Sequence, residues 1–375
     1  MTDVDDVRRA VAAVTDPELR RPIGDLDMVR GITVDGGAAT VEIALTIVGC
    51  PAADRIERDV RGAAASVPGI DHVTVSVGVM TPSERAALVE RIRGPRQMPF
   101  TADSLTRVIA VTSGKGGVGK STLTANLAVS LAGRGLAVGL IDADVHGFSI
   151  PGLLGLVDAD GRTPQPTRID ELMLPPVAFG VKTISIGMFL PPDAPPAVAW
   201  RGPMLHRTVQ QFLTDVHFGD LDVLLIDMPP GTGDVAISVG QLLPHADVLV
   251  VTTPQEAAAD VAVRSGLVAR QTGQRVVGVV ENMAPLTLPD GTVLDLFGSG
   301  GGEAVARMLS DGDVDVPLLG SVPLSPALRA GGDAGTPVVV GAPTDAAAVA
   351  VDAVGAALMG QRRSLAGRSL PVRPS

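Results

Sequence analysis

Two hydrophobic periodicities divide the chain. Val4, Val7, Val11 and Val14 recur at three- and four-residue intervals and predict an amphipathic helix that Asp16-Pro17 ends. Apolar–polar runs at 29–34 and 40–48, parted by Asp35-Gly36-Gly37, predict two strands joined by a turn. A helix over 52–65, a turn at Pro68-Gly69, a strand over 73–79 and a helix opening at Thr81-Pro82-Ser83-Glu84 complete a small α+β domain, 1–95. Residues 96–104 lack any period and read as a linker. From Leu105 the apolar runs become continuous: 108–112, 137–141, 223–227, 248–252, 276–280 and 316–320. Helical spacing such as Leu123, Leu127, Leu131 lies between them. Such strands alternating with helices imply an α/β domain over 105–359, built on a doubly wound, mostly parallel sheet. The Pro-rich span 155–200 is long enough to be functional or mobile, and predicts a hairpin with strands near 172–174 and 181–186. A helix opens at Trp200-Arg-Gly-Pro-Met204. An Ala/Val-rich helix over 346–359 is expected to pack on the sheet, and the Arg- and Pro-rich tail 360–375 to be disordered.

Composition narrows the function. Hydrophobic residues make up 46% of the chain but aromatics 2%, so the core must rest on Val, Leu, Ile and Ala, and few rings remain to stack on single-stranded nucleic acid. A formal net charge of −11 opposes binding to DNA or to an anionic membrane. No apolar run approaches the about 18 residues of a membrane span. One cysteine excludes a disulfide within the chain and fits a reducing compartment. The expectation is a cytoplasmic protein with no nucleic-acid partner and no stable membrane anchoring.

The chemistry concentrates at GKGGVGKST. Residues Gly114, Lys115, Gly116, Gly117, Val118, Gly119, Lys120 and Ser121, with Thr122 after them, follow a β-branched strand and open a helix, the context a phosphate-binding P-loop requires. Glycines let successive backbone N–H groups turn toward phosphate oxygens, and the helix N-terminus faces the same anion. Lys120 is expected on the β- and γ-phosphates and Ser121 on Mg²⁺. Asp142 and Asp144 close a strand where carboxylates serve the metal shell and the attacking water; Asp144 is the candidate for the water, Asp142 for the metal. Asp227 ends the apolar run 223–227 and is the Walker B candidate for Mg²⁺. PPGTGD follows as a switch loop in which Gly231 or Gly233 would sense the γ-phosphate. His146 is read as a loop residue. Cys50 stands at a strand–helix junction, where a helix N-terminus would favour thiolate; the alternative is a small buried hydrophobe.

GKGGVGKST resembles the deviant P-loops of the ParA, MinD, ArsA and nitrogenase-iron-protein group (SIMIBI type), in which a residue like Lys115 reaches a dimer partner's nucleotide. Asp16-Pro-Glu-Leu, Asp25-Leu-Asp-Met-Val and the segment ending in Cys50-Pro51 resemble the small domain of SufT-like and PaaD-like iron–sulfur assembly factors, with Cys50 at that family's cysteine. DADVHGFSIPGLLG, WRGPM, DMPPGTGD, TTPQEAAADV, ENM and FGSGGG together are similar to the Mrp (ApbC-type) iron–sulfur carrier ATPases across roughly residues 4–360. That resemblance implies a homodimer that hydrolyses ATP slowly, Asn282 on the adenine, Pro323 lining the base pocket, iron–sulfur clients or assembly partners, and a labile [4Fe–4S] cluster between subunits. The family's C-x-x-C pair is missing: residues 284–296 contain no Cys and no His. Three readings stay open, namely iron–sulfur assembly or transfer using Cys50, an ATP-driven scaffold or chaperone without a cluster, and a MinD/ParA-like positioning ATPase.

Overall fold

The computed structural model describes residues 4–47, 50–93, 98–144, 147–190, 202–288, 290–312 and 314–361. His146, Trp200, Arg201, part of the linker and nearly all of the tail lie outside the described residues. The chain forms two compact units, one of residues 1–97 with 166–174, the other of 98–165 with 175–375.

In the first unit, α1 (Val4–Ala12), β1 (Val29–Asp35), β2 (Ala38–Leu45), α2 (Ala53–Ala65), β3 (His72–Val79) and α3 (Pro82–Arg93) follow in order. The β1–β2 pair is antiparallel, turning at Gly36 and Gly37 with φ of 52° and 88°. The β2–β3 pair is parallel, so α2 makes the crossover. Val7 and Val11 of α1, Val41 and Ile43 of β2, and Ile56 and Val60 of α2 share one buried core. A second hairpin, β6 (Thr167–Ile169) and β7 (Leu172–Leu174), joins that core through Ile169, Leu172 and Leu174. The predicted pairing of 172–174 with 181–186 is therefore corrected: three-residue strands carry too little period to reveal their partners.

The second unit contains β4 (Arg107–Ser113), α4 (Lys120–Gly133), β5 (Val138–Asp142), α5 (Ile150–Leu153), β8 (Val177–Ala178), β9 (Val181–Ser185), α6 (Gly202–Thr214), β10 (Val223–Asp227), α7 (Asp234–Leu242), β11 (Asp247–Thr252), α8 (Glu256–Gln271), β12 (Arg275–Ala284), β13 (Leu286–Thr287), β14 (Val293–Leu294), α9 (Gly301–Leu309), β15 (Leu318–Pro323), α10 (Pro326–Asp333), α11 (Val338–Gly341) and α12 (Ala346–Gly360). Its sheet runs β15-β12-β11-β4-β10-β5-β9-β8, parallel except for β8 against β9. Every residue of β4, β5, β10 and β11 is buried, the signature of strands covered on both faces. The chain leaves β4 for β5 on one side and leaves its neighbour β10 for β11 on the other, so the loops after β4 and β10 sit at a topological switch point. The fold is thus α/β, as the continuous apolar runs imply.

One buried ion pair anchors the last helix. Arg107 Nε donates to Asp247 Oδ2 at 2.7 Å, Arg275 meets the other carboxylate oxygen at 2.9 Å, and Arg107 Nη1 donates to the Leu358 carbonyl of α12. Arg107 and Asp247 are both buried. Asp247→Ala would strand the Arg107 charge at a cost of about 3–5 kcal/mol. A clear drop in melting temperature is expected; an unchanged melt contradicts the assignment.

Candidate functional site

The P-loop joins β4 to α4, and its shape follows from two close approaches. A Cβ on Gly114 would lie 2.2 Å from the Val261 backbone, so glycine is required where α8 meets the loop. Gly119, with φ of 78°, sits in the left-handed region, and a Cβ there would lie 2.2 Å from Asn282 Nδ2. That same nitrogen donates to the Val118 carbonyl at 2.8 Å, so Asn282 braces the loop from β12. Pro323 ends the neighbouring strand β15, opposite Ala284.

At the carboxyl ends of the strands, Asp227 is in register with Asp142 on one side and Val111 on the other. Both carboxylates are fully buried. Lys120 Nζ lies 2.7 Å from Asp227 Oδ1, the Ser121 hydroxyl donates to Oδ2 at 2.6 Å, and Thr124 Oγ1 donates to Oδ1 at 2.9 Å. Asp142 accepts from Ser185 Oγ at 3.0 Å, from Asp144 N at 3.2 Å and from Ile150 N at 3.4 Å. Burial, and then the neighbouring Asp227 charge, pushes the Asp142 carboxyl well above the usual carboxylate range. Asp144 is buried two residues on and accepts from Gly147 N at 3.1 Å. The donors are hard oxygens and the negative charge is crowded, which fits Mg²⁺. Gly231 N donates to the Ser113 carbonyl at 2.8 Å, tying the switch loop to the end of β4.

Lys115 Nζ donates to Gln255 Oε1 at 3.2 Å, within its own chain. Thr124, Ser185 and Gln255 were missed by motif reading because their partners lie on other strands or across the loop. Thr124, four residues after Lys120 on one helix, carried the one usable signal. Glu281 accepts from Gly302 N at 2.7 Å, which accounts for ENM and the glycine run lying together. The structure thus brings Lys115, Lys120, Ser121, Asp142, Asp144, Asp227 and Asn282 to one edge of one sheet.

Cys50 belongs to the other unit. It is buried, its sulfur 3.6 Å from Glu18 Oε2, while Thr167 Oγ1 donates to Glu18 Oε1 at 2.8 Å. The thiolate expected from a helix N-terminus is corrected. Burial pushes the thiol up to about 11, outweighing the Ala52 backbone N–H, and the Glu18 charge pushes the same way. Burial also raises Glu18 and Asp16. Residues 284–296, where a C-x-x-C pair is missing, include the small β13–β14 hairpin with Val293 and Leu296 exposed. Among the described residues, no group of three or more His, Cys, Asp and Glu is placed to hold a metal ion, and no helix is long and apolar enough to cross a membrane.

A glycine-rich cradle with its lysine, hydroxyl and paired strand-end aspartates defines a P-loop nucleotide-binding protein of the deviant, two-lysine type. Residues 104–359 match the model of the NUBPL iron-transfer P-loop NTPases, and 4–77 that of an iron–sulfur cluster assembly protein. The chain is 54% identical to an iron–sulfur cluster carrier protein of Mycobacterium tuberculosis, over 98% of this chain and 96% of that one. It is 40% identical to a protein of the same description from Synechocystis, over 96% and 98%. An Archaeoglobus fulgidus nucleotide-binding protein solved with ADP matches at 36% identity and TM-score 0.51, covering 63% of this chain and 92% of that one. The chain belongs to the NUBPL-type iron-transfer P-loop NTPase family.

Because the folded thiol holds its proton above the ordinary 9.0, it stays protonated below pH 9. Its contribution to stability is full there and is lost as pH rises from about 9 through about 11. At pH 8, iodoacetamide should label Cys50 far more slowly in the folded protein than after denaturation; equal rates contradict this.

Proposed function

We propose that the protein is an ATP-switched homodimer that carries iron–sulfur clusters to recipient proteins in the cytoplasm. One observation carries the switch: Lys120, Ser121 and Asp227 converge, with Asp142 in register beside them, at a P-loop that Asn282 of β12 braces. Lys120 would meet the β- and γ-phosphates and Asn282 the base, with Pro323 beside it. Ser121 and Asp227, the latter through water, with Asp142 outside them, would hold Mg²⁺, which when bound would supply charge neutralisation at the phosphates. Asp144 orients the attacking water toward the γ-phosphate. Lys115 leaves Gln255 and reaches the nucleotide of the second copy, so hydrolysis depends on dimerisation. Loss of the γ-phosphate releases the loops after Asp142 and Asp227 and changes the affinity for client proteins.

The cargo reading follows from the family and from the assembly-type domain, with Cys50 the chain's one thiol. Two copies give two sulfurs, and a client or small thiol completes the cluster's ligands. The absence of a C-x-x-C pair favours a second reading, an ATP-driven scaffold or chaperone that binds no cluster and whose client is not a metal centre.

Lys120→Ala should lower ATP turnover by about 10²-fold or more. It should equally remove any ATP stimulation of iron transfer to an apo iron–sulfur acceptor. Retained turnover rejects the cradle, whereas turnover without ATP-dependent transfer in the wild type rejects the carrier. Lys115→Ala should cost hydrolysis about 10²-fold with monomer nucleotide affinity intact; unchanged hydrolysis rejects a role in the partner's site.

A further inference from the structure

The hairpin β6–β7 is covalently part of the ATPase region yet folds with the assembly-type unit. Ile169 and Leu172 are wholly buried in that unit's core, Thr167 holds Glu18, and Arg85 pairs with Asp170 at 3.3 Å. Glu18 in turn lies against the Cys50 sulfur. Both flanks of this excursion lead back to Asp142. On the N-terminal side, α5 begins at Ile150, whose N–H donates to Asp142. On the C-terminal side, Pro175-Pro176 separate β7 from β8. Proline fixes φ, so this is a stiff connection. Beyond it the Pro176 carbonyl accepts from Thr183 N at 2.9 Å, β9 lies in register with β5, and Ser185 Oγ donates to Asp142.

We propose that the hairpin 167–174 is a latch through which the nucleotide site governs access to Cys50, with Thr167 and Glu18 as the residues that hold it shut. The inference rests on the nucleotide-switch reading of Asp142. In this structure that carboxylate is committed to Ser185, Asp144 and Ile150; drawn toward the cation that would accompany a bound nucleotide, it would give up these contacts. Two of them root the flanks of the hairpin. The strain passes through the proline pair to β7 and loosens Thr167 from Glu18. The thiol is then uncovered while the nucleotide is bound and covered again once it leaves. This explains why an assembly-type domain takes nine residues from the middle of another unit: the borrowed hairpin reports that unit's state.

The test is alkylation of Cys50 in the full-length chain, with and without Mg–AMP-PNP, while nucleotide binding is followed separately with a fluorescent ATP analogue. The wild type should label about fivefold faster or more with nucleotide, the effect of releasing one net hydrogen bond. Thr167→Val keeps the shape and removes the hydroxyl; it should label about fivefold faster even without nucleotide. Pro175→Gly with Pro176→Gly should keep nucleotide affinity and lose the response. Nucleotide binding with an unchanged labelling rate in the wild type overturns the latch and leaves the switch standing. So does a full response in the double glycine variant. Absence of nucleotide binding overturns both.

Discussion

Asp142 and Asp227 end neighbouring parallel strands, fully buried, with the Lys120 ammonium against Asp227. Two buried carboxylates beside one another are costly unless charge is supplied, and that constraint organises the domain. It explains why Asp142 is driven toward its protonated form, and why Lys120, Ser121 and Thr124 of one helix all turn to Asp227. It also explains why a cation, rather than the phosphates, would be drawn to these strand ends. A cation held there would compete for the carboxylate contacts that neighbouring segments now use.

Those segments are specific. The loop after Asp142 is held by Ala143 N to the Asp227 carbonyl and by Asp144 N and Ile150 N to Asp142, and the loop after Asp227 by Met228 N to Val111 and Gly231 N to Ser113. Lys115 rests on Gln255, a neutral amide that it can leave at modest cost. Cys50, by contrast, is held with its proton among Glu18, Asp16 and the helix start. A thiol held this way is a poor metal ligand at rest.

Much of this was legible in the sequence. Continuous Val, Ile and Leu runs gave the buried strands because a parallel sheet is covered on both faces; the P-loop was readable within one strand–helix unit, and Asp227 from a separate apolar run that ends in Asp just before PPGTGD. What was hidden depended on residues remote in sequence. The Cys50 thiol is raised chiefly by its burial in a packed core, and the carboxylate that adds to it, Glu18, lies 32 positions earlier. The hairpin's true partner is a core that had closed long before it in the chain. Asn282 shows both sides: its place at a strand end was readable, its hold on Val118 was not.

The most direct measurement of the account's central claim is anaerobic loading of the full-length protein with iron and sulfide, counting both per chain for wild type and Cys50→Ser. Cluster held by the wild type and lost in the variant is the predicted result, placing the cargo on the assembly-type unit. Equal loading of the two, or none in either while ATP is still hydrolysed, would contradict it.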